Sequence, residues 1–194
     1  MLMLPEEATQ YPRLAQFLRK DIASIPYRKP NVFRAFCRFG EMSTNVGRKV
    51  LQYGTTTNAT LPILRITHMQ TSEKKVDRYG VFFHTMRDIV FISTISAIAF
   101  EQVHKRMYTG APIPGLSTEE QKYQFDPDAQ ISEINQFMEA LVLHEIVHWG
   151  DYNNDFVHRD SVAGKKEAGH GFELAAYGKI YSNASGFRLR EVLL

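Results

Sequence analysis

The 194-residue sequence has one cysteine, Cys37, and one tryptophan, Trp149. A single thiol excludes an intrachain disulfide framework and any cysteine-rich metal site. Net charge is equally scarce: 23 Lys and Arg face 21 Asp and Glu, a formal +2. That near-balance argues against a nucleic-acid partner. The one basic stretch (Arg13, Arg19, Lys20, Arg28, Lys29, Arg34, Arg38, against Asp21) reads as the solvated face of helices. No apolar run approaches the ~18 residues of a membrane span. The longest, Asp88 to Phe100, is interrupted by Ser93, Thr94 and Ser96. The opening Met-Leu-Met-Leu-Pro-Glu-Glu lacks the basic start and long apolar core of a secretory signal. Action outside the producing cell would therefore require a dedicated export system.

What is present suits a globular chain. Hydrophobic residues are 44% and charged residues 23%, and the length fits one domain, 1–194, with a continuous core. Residues 5 to about 54 read as helical. Pro5, Glu6 and Glu7 mark a start, and Leu14, Phe17 and Leu18 recur at helical spacing. Pro26 and Pro30 break the pattern; Val32, Phe33, Phe36 and Phe39 resume it up to Gly40, and Ser43 or Thr44 caps a further helix ending near Gly54. Residues 61–69, 80–85 and 88–94 are short, rich in Ile, Val and Phe, and predict strands, with a loop at 70–78. His68 and His84, in or beside these strands, have no partner at ligand spacing. Helix returns from 96 to 194, with one helix at 97–108, a proline-bearing loop at 109–127 and a helix at about 131–149 closed by Gly150. The class is α+β, predominantly helical with a small sheet.

The last of these helices carries His144-Glu145-Ile146-Val147-His148, an HExxH motif. Residues four apart lie about 40° apart around a helix, so both imidazoles reach one ion. Glu145 projects about 100° from His144 and reaches a water on that ion without being a ligand. The context is right: 128–149 holds no proline or glycine, and Ile131, Ile134, Met138, Leu141 and Trp149 line one flank. Chance gives such a motif in a chain of this length about once in a hundred.

A Zn²⁺ hydrolase needs a third protein ligand and an open position. The HExxHxxGxxH extension fails, because Asp151 and Asn154 occupy its glycine and histidine positions. Glu173 is the preferred third ligand, on a helix with Tyr177 one turn beyond it; Glu167, His170 and His158 follow in that order. Gly169 and Gly171 are expected to make a tight turn before that helix. Tyr177 and His170 are candidate oxyanion donors. Asp151 is a candidate acceptor for the second ring nitrogen of His148. Glu145 is expected to take a proton from the attacking water and hand it to the leaving amine.

The segments His144-Glu-Ile-Val-His-Trp-Gly-Asp-Tyr152 and Glu167-Ala-Gly-His-Gly-Phe-Glu-Leu-Ala-Ala-Tyr-Gly178 resemble the metallopeptidase toxin domain fused to some VgrG spike proteins of type VI secretion systems. Tyr11-Pro-Arg-Leu-Ala-Gln-Phe-Leu-Arg19 and Phe39-Gly-Glu-Met42 extend the likeness over most of the chain. The resemblance implies a zincin-like fold, a zinc peptidase with Glu173 as third ligand, a peptide or protein substrate, and use against competing bacteria. It also implies a spike partner, an immunity protein in the producer, and action in a target cell such as in its periplasm. Two rivals stand beside it. A zinc cell-wall amidase uses the same chemistry on another amide, and a closed zinc site would make a non-catalytic module. A deformylase is disfavoured, since Cys37 lies far upstream of the motif.

Overall fold

The computed structural model describes residues 1–54, 61–69, 79–109, 127–155 and 167–181. The loop expected at 70–78, residues 110–126 of the loop expected at 109–127, and His158 lie outside these residues; Thr109 and Pro127, the ends of that second loop, are helical instead.

The amino-terminal third is helical, as its spacing requires. Helices α1 (Pro5–Gln10) and α2 (Pro12–Phe17) each begin on a proline, and a π-helical turn (Leu18–Ile22) leads into α3 (Ala23–Arg28). Pro26 does not break this run as expected; it lies inside α3. A proline removes one rung of the hydrogen-bond ladder, and here the ladder has already shifted to π pairing in the turn just upstream. Pro30 opens α4 (Pro30–Phe39), which buries Val32, Phe33, Ala35 and Phe36 and stops at Gly40. Ser43 caps α5 (Thr44–Leu51) by accepting from the Val46 amide at 3.3 Å.

Among the described residues four strands form one sheet: β1 (Leu2–Met3), β2 (Ile63–Thr67), β3 (Gly80–Phe82) and β4 (Ile89–Ser93), in the order β1-β2-β4-β3. β1–β2 and β2–β4 are parallel, while β3 and β4 form an antiparallel hairpin with Gly80 opposite Ile92. The two-residue β1 left no periodicity to read in the sequence. Leu64, Phe82, Val90 and Ile92 turn to the core. β4 runs directly into α6 (Thr94–Thr109), because the Ser93 hydroxyl accepts from the Ser96 amide at 3.1 Å. Ser93, one of the polar residues that interrupt the apolar run, is thus the helix cap.

The centre is α7 (Pro127–Asp155), which carries the HExxH segment and packs against α4, α6, β3, β4 and α8 (Ala168–Tyr177). From Phe137 to Tyr152 every residue of α7 is buried, as a helix enclosed on all sides must be. No helix among the described residues is long and apolar enough to cross a membrane.

Gly150 does not end α7 as expected; the helix continues through it. A Cβ at Gly150 would stand 2.5 Å from the Gly40 carbonyl oxygen and 3.0 Å from Met42, so the glycine serves the close approach of α4's end. Gly→Ala in a helix ordinarily gains about 1 kcal/mol. Here the obstacle is backbone, and Gly150→Ala is expected to destabilise by about 1–3 kcal/mol through overpacking. Denaturant unfolding reads the sign; a rise in stability would mean that α4 can move aside. Gly171 likewise lies inside α8 rather than in a turn, with Phe39 against it.

Candidate metal centre

His144 and His148 project from one face of α7, their ring centroids 4.9 Å apart and their Nε2 atoms 3.2 Å apart. Both are buried, as is Glu145 between them. α8 supplies the rest. Its N-cap is Glu167, whose carboxylate accepts from the backbone amides of Gly169 (3.0 Å) and His170 (2.8 Å). Those two bonds fix the carboxylate where positive helix charge favours it. Its Oε1 then faces His144 Nε2 at 3.3 Å and contacts His148 Nε2, while Oε2 meets His170 Nδ1 at 2.9 Å. One ligand atom each from His144, His148 and Glu167 falls within a 4.8 Å cluster.

Glu173 is fully buried but stands elsewhere. Its Oε1 lies 2.6 Å from His144 Nδ1, the ring nitrogen facing away from the cluster, and its Oε2 accepts from the Tyr181 amide. The structure therefore brings Glu167, ranked second in the sequence, to the shared corner, and sets Glu173 behind the first imidazole. A Glu173 bond at Nδ1 holds a proton there and leaves Nε2 as the nitrogen facing Glu167 and His148. Tyr177 is away from the cluster; its hydroxyl donates to Glu139 Oε1 at 3.0 Å, and Glu139 also pairs with Lys29 Nζ at 2.8 Å. Burial and the Glu139 carboxylate push the Tyr177 hydroxyl above its ordinary range, so it stays a donor. His170 is about one-third exposed, its ring 5.5 Å from that of His144. Asp151 is buried one turn past His148.

The donor set fits a divalent cation. Bonds of about 2.0–2.1 Å at tetrahedral angles place ligand atoms roughly 3.3 Å apart; two of the three edges, at 3.2 Å and 3.3 Å, match this, and the Glu167–His148 edge is shorter. Three carboxylates, Glu145, Glu167 and Glu173, crowd two imidazoles, so the buried cluster calls for positive charge. Burial disfavours the charged imidazole of His144, yet its Glu173 bond and the three carboxylate charges overcome this and lift it to about 9. Burial likewise disfavours the charged form of His148, but its bond to Glu167 and the charges of Glu145 and Glu167 outweigh burial and the opposing His144 and raise it. Burial opposes ionisation of Glu167, but His148, His144 and the His170 amide hold it down at about 2. Glu145 goes the other way, raised chiefly by burial and further by Glu167 and Glu173, against the two histidines. Gly169 completes the cradle, because a Cβ there would overlap the His144 ring.

Gly169→Ala tests that cradle. The ring is held from both sides, by Glu173 and Glu167, and cannot yield cheaply. A drop in metal affinity of about 10–100-fold, the range for a displaced supporting group, is expected by titration of metal-stripped protein. Unchanged affinity would show that the ring has room.

Neither Gly80 nor Glu139 stands out in the sequence as a functional residue. Glu139 had no signal, being one carboxylate on a long helix. Glu167 had one: an acid two residues before a glycine at a helix start.

Comparison with curated proteins and with solved structures gives no match. The family model of metallopeptidase toxin 3 matches residues 7–178, which include every element of the cluster. A metallopeptidase implies a metal ion, and a peptidase toxin implies a protein substrate. The chain belongs to the metallopeptidase toxin 3 family.

Proposed function

We propose that the chain is a zinc peptidase in which His144, His148 and Glu167 hold the ion, Glu145 is the general base, and Glu173 orients His144. The observation that carries this reading is the convergence of one atom from each of the three ligands, beside a buried carboxylate that ligates nothing in that cluster. Glu167 replaces Glu173 as third ligand because Glu173 engages Nδ1 of His144 and not the Nε2 corner. Zinc in such a site polarises the scissile carbonyl and makes water nucleophilic near neutral pH.

The chain's own groups do the rest. Glu145, its proton affinity raised by burial, takes the proton of the attacking water and passes it to the departing amine. Glu173 holds His144 by Nδ1 and keeps its Nε2 aimed at the ion. His170, held by Glu167 Oε2, donates to the oxyanion of the tetrahedral intermediate. Tyr177, committed to Glu139, packs α8 against α7 and takes no part. Residues 1–194 act as one zincin-like domain.

The toxin description of the family supports delivery into a target cell; that the target is a competing bacterium reached in its periplasm through a type VI spike, with an immunity protein guarding the producer, is proposed from the sequence resemblance alone. The primary experiment is hydrolysis by metal-stripped and zinc-reloaded protein, on an unfolded protein and on purified peptidoglycan in parallel. Zinc-dependent cleavage of the unfolded protein is expected. Cleavage of peptidoglycan alone would make the enzyme a cell-wall amidase, and full activity without metal would end this reading.

A further inference from the structure

Gly80 opens β3, the strand of the sheet that lies along α7 next to Glu145. Glycine weakens a strand interior, and its neighbours Tyr79, Val81 and Phe82 are strong strand formers. A left-handed backbone does not explain it, since among the described glycines only Gly54 and Gly178 have positive φ. Space does. A Cβ on Gly80 would stand 2.6 Å from Glu145 Oε1, 2.9 Å from its Cγ and 3.0 Å from its Cδ.

The strand cannot retreat to make room. Tyr79 packs edge-on against Phe137 of α7 at 5.4 Å, and Phe82 packs against Tyr152 of α7 at 5.9 Å. The Tyr79 carbonyl accepts from the Ser93 amide at 2.8 Å, and Gly80 to Phe82 pair with β4. β3 is thus pinned to α7 on both sides of Gly80. Anything larger than hydrogen at position 80 must push the Glu145 side chain aside. That side chain ends in a flexible carboxylate, so the fold can absorb the push while the chemistry cannot.

We infer that Gly80 is a positioning residue for the Glu145 carboxylate, its missing side chain fixing where the proton acceptor stands. This rests on the reading of Glu145 as general base. Displacing a catalytic group by about 1 Å costs on the order of a hundredfold in rate, so Gly80→Ala is expected to lose about that in kcat. KM should change little, and bound zinc should be unchanged, because the three atoms nearest a Cβ at position 80 all belong to Glu145, which is not a ligand.

The test pairs that assay with one independent of activity and metal. Thermal unfolding of metal-stripped protein is measured for Gly80→Ala, for Glu145→Ala and for the double variant. Removing the Glu145 side chain empties the space a Cβ needs. Gly80→Ala is therefore expected to raise Tm by several degrees more in the Glu145→Ala background than in the parent. Should Gly80→Ala alone fail to fold, recovery of folding in the double variant would establish the same contact. Equal Tm shifts in both backgrounds, or kcat within threefold of the parent, would overturn the inference, as would zinc loss in step with activity. Glu145→Gln serves as control: if it keeps full activity, the base assignment falls, and the Tm comparison still decides the contact.

Discussion

Glu167→Ala is expected to abolish metal retention, and Glu173→Ala to weaken it only in part. The contrast follows from which nitrogen each carboxylate meets. Glu167 Oε1 faces both Nε2 atoms, so its removal takes away a ligand. Glu173 meets Nδ1 of His144, so its removal loosens a ring that still reaches the ion. Losses of about 10–100-fold are typical when a group behind a ligand is removed. Glu173→Ala should fall in that range and Glu167→Ala well beyond it, by titration of zinc into stripped protein. Glu167→Ala has a second consequence, because the same carboxylate caps α8. About 1 kcal/mol of stability should go with it, small enough for the variant to fold. If the two affinities change by similar factors, or in the reverse order, the assignment of Glu167 as ligand is wrong.

The second large effect is expected at Glu145. Glutamine keeps the shape and removes the basic oxygen, so Glu145→Gln should leave zinc stoichiometry at the parent value and lower kcat by about 10²–10⁴-fold. Retained metal is the informative half of the result. Loss of metal together with rate would mean that Glu145 supports the cluster, and full activity would remove it from the chemistry.

Much of the fold was legible because its signals are local. Apolar spacing marked α4, Ser43 marked the start of α5, and branched and aromatic runs marked β2 and β4. The HExxH segment was legible for the same reason, since a spacing of four on a helix is a geometric statement. The readings that failed depended on contacts distant in sequence. Gly150 looked like a helix end and is a contact point for the Gly40 carbonyl. Pro26 looked like a break and is carried by the π turn before it. β1 exists because parallel pairing with β2 completes it, not because two residues announce a strand.

The proposed third ligand shows the same limit. Glu167 and Glu173 stand on one short helix and both reach the first histidine, so spacing alone could not rank them. What separates them is that Glu167 caps α8 through the Gly169 and His170 amides, which turns its oxygen to the open side of the imidazoles. Glu173, within the helix, is left the side facing Nδ1. Gly169 was visible in the sequence as a glycine near a helix start, but its purpose, room for the His144 ring, became visible only in three dimensions.

Anomalous diffraction at the zinc edge from crystals of the wild-type protein addresses the ligand set most directly. The expected map has one peak at bonding distance from His144 Nε2, His148 Nε2 and a Glu167 carboxylate oxygen, with Glu173 remaining on Nδ1 of His144. A peak bound by Glu173, or no zinc between the two imidazoles of fully active protein, would contradict it.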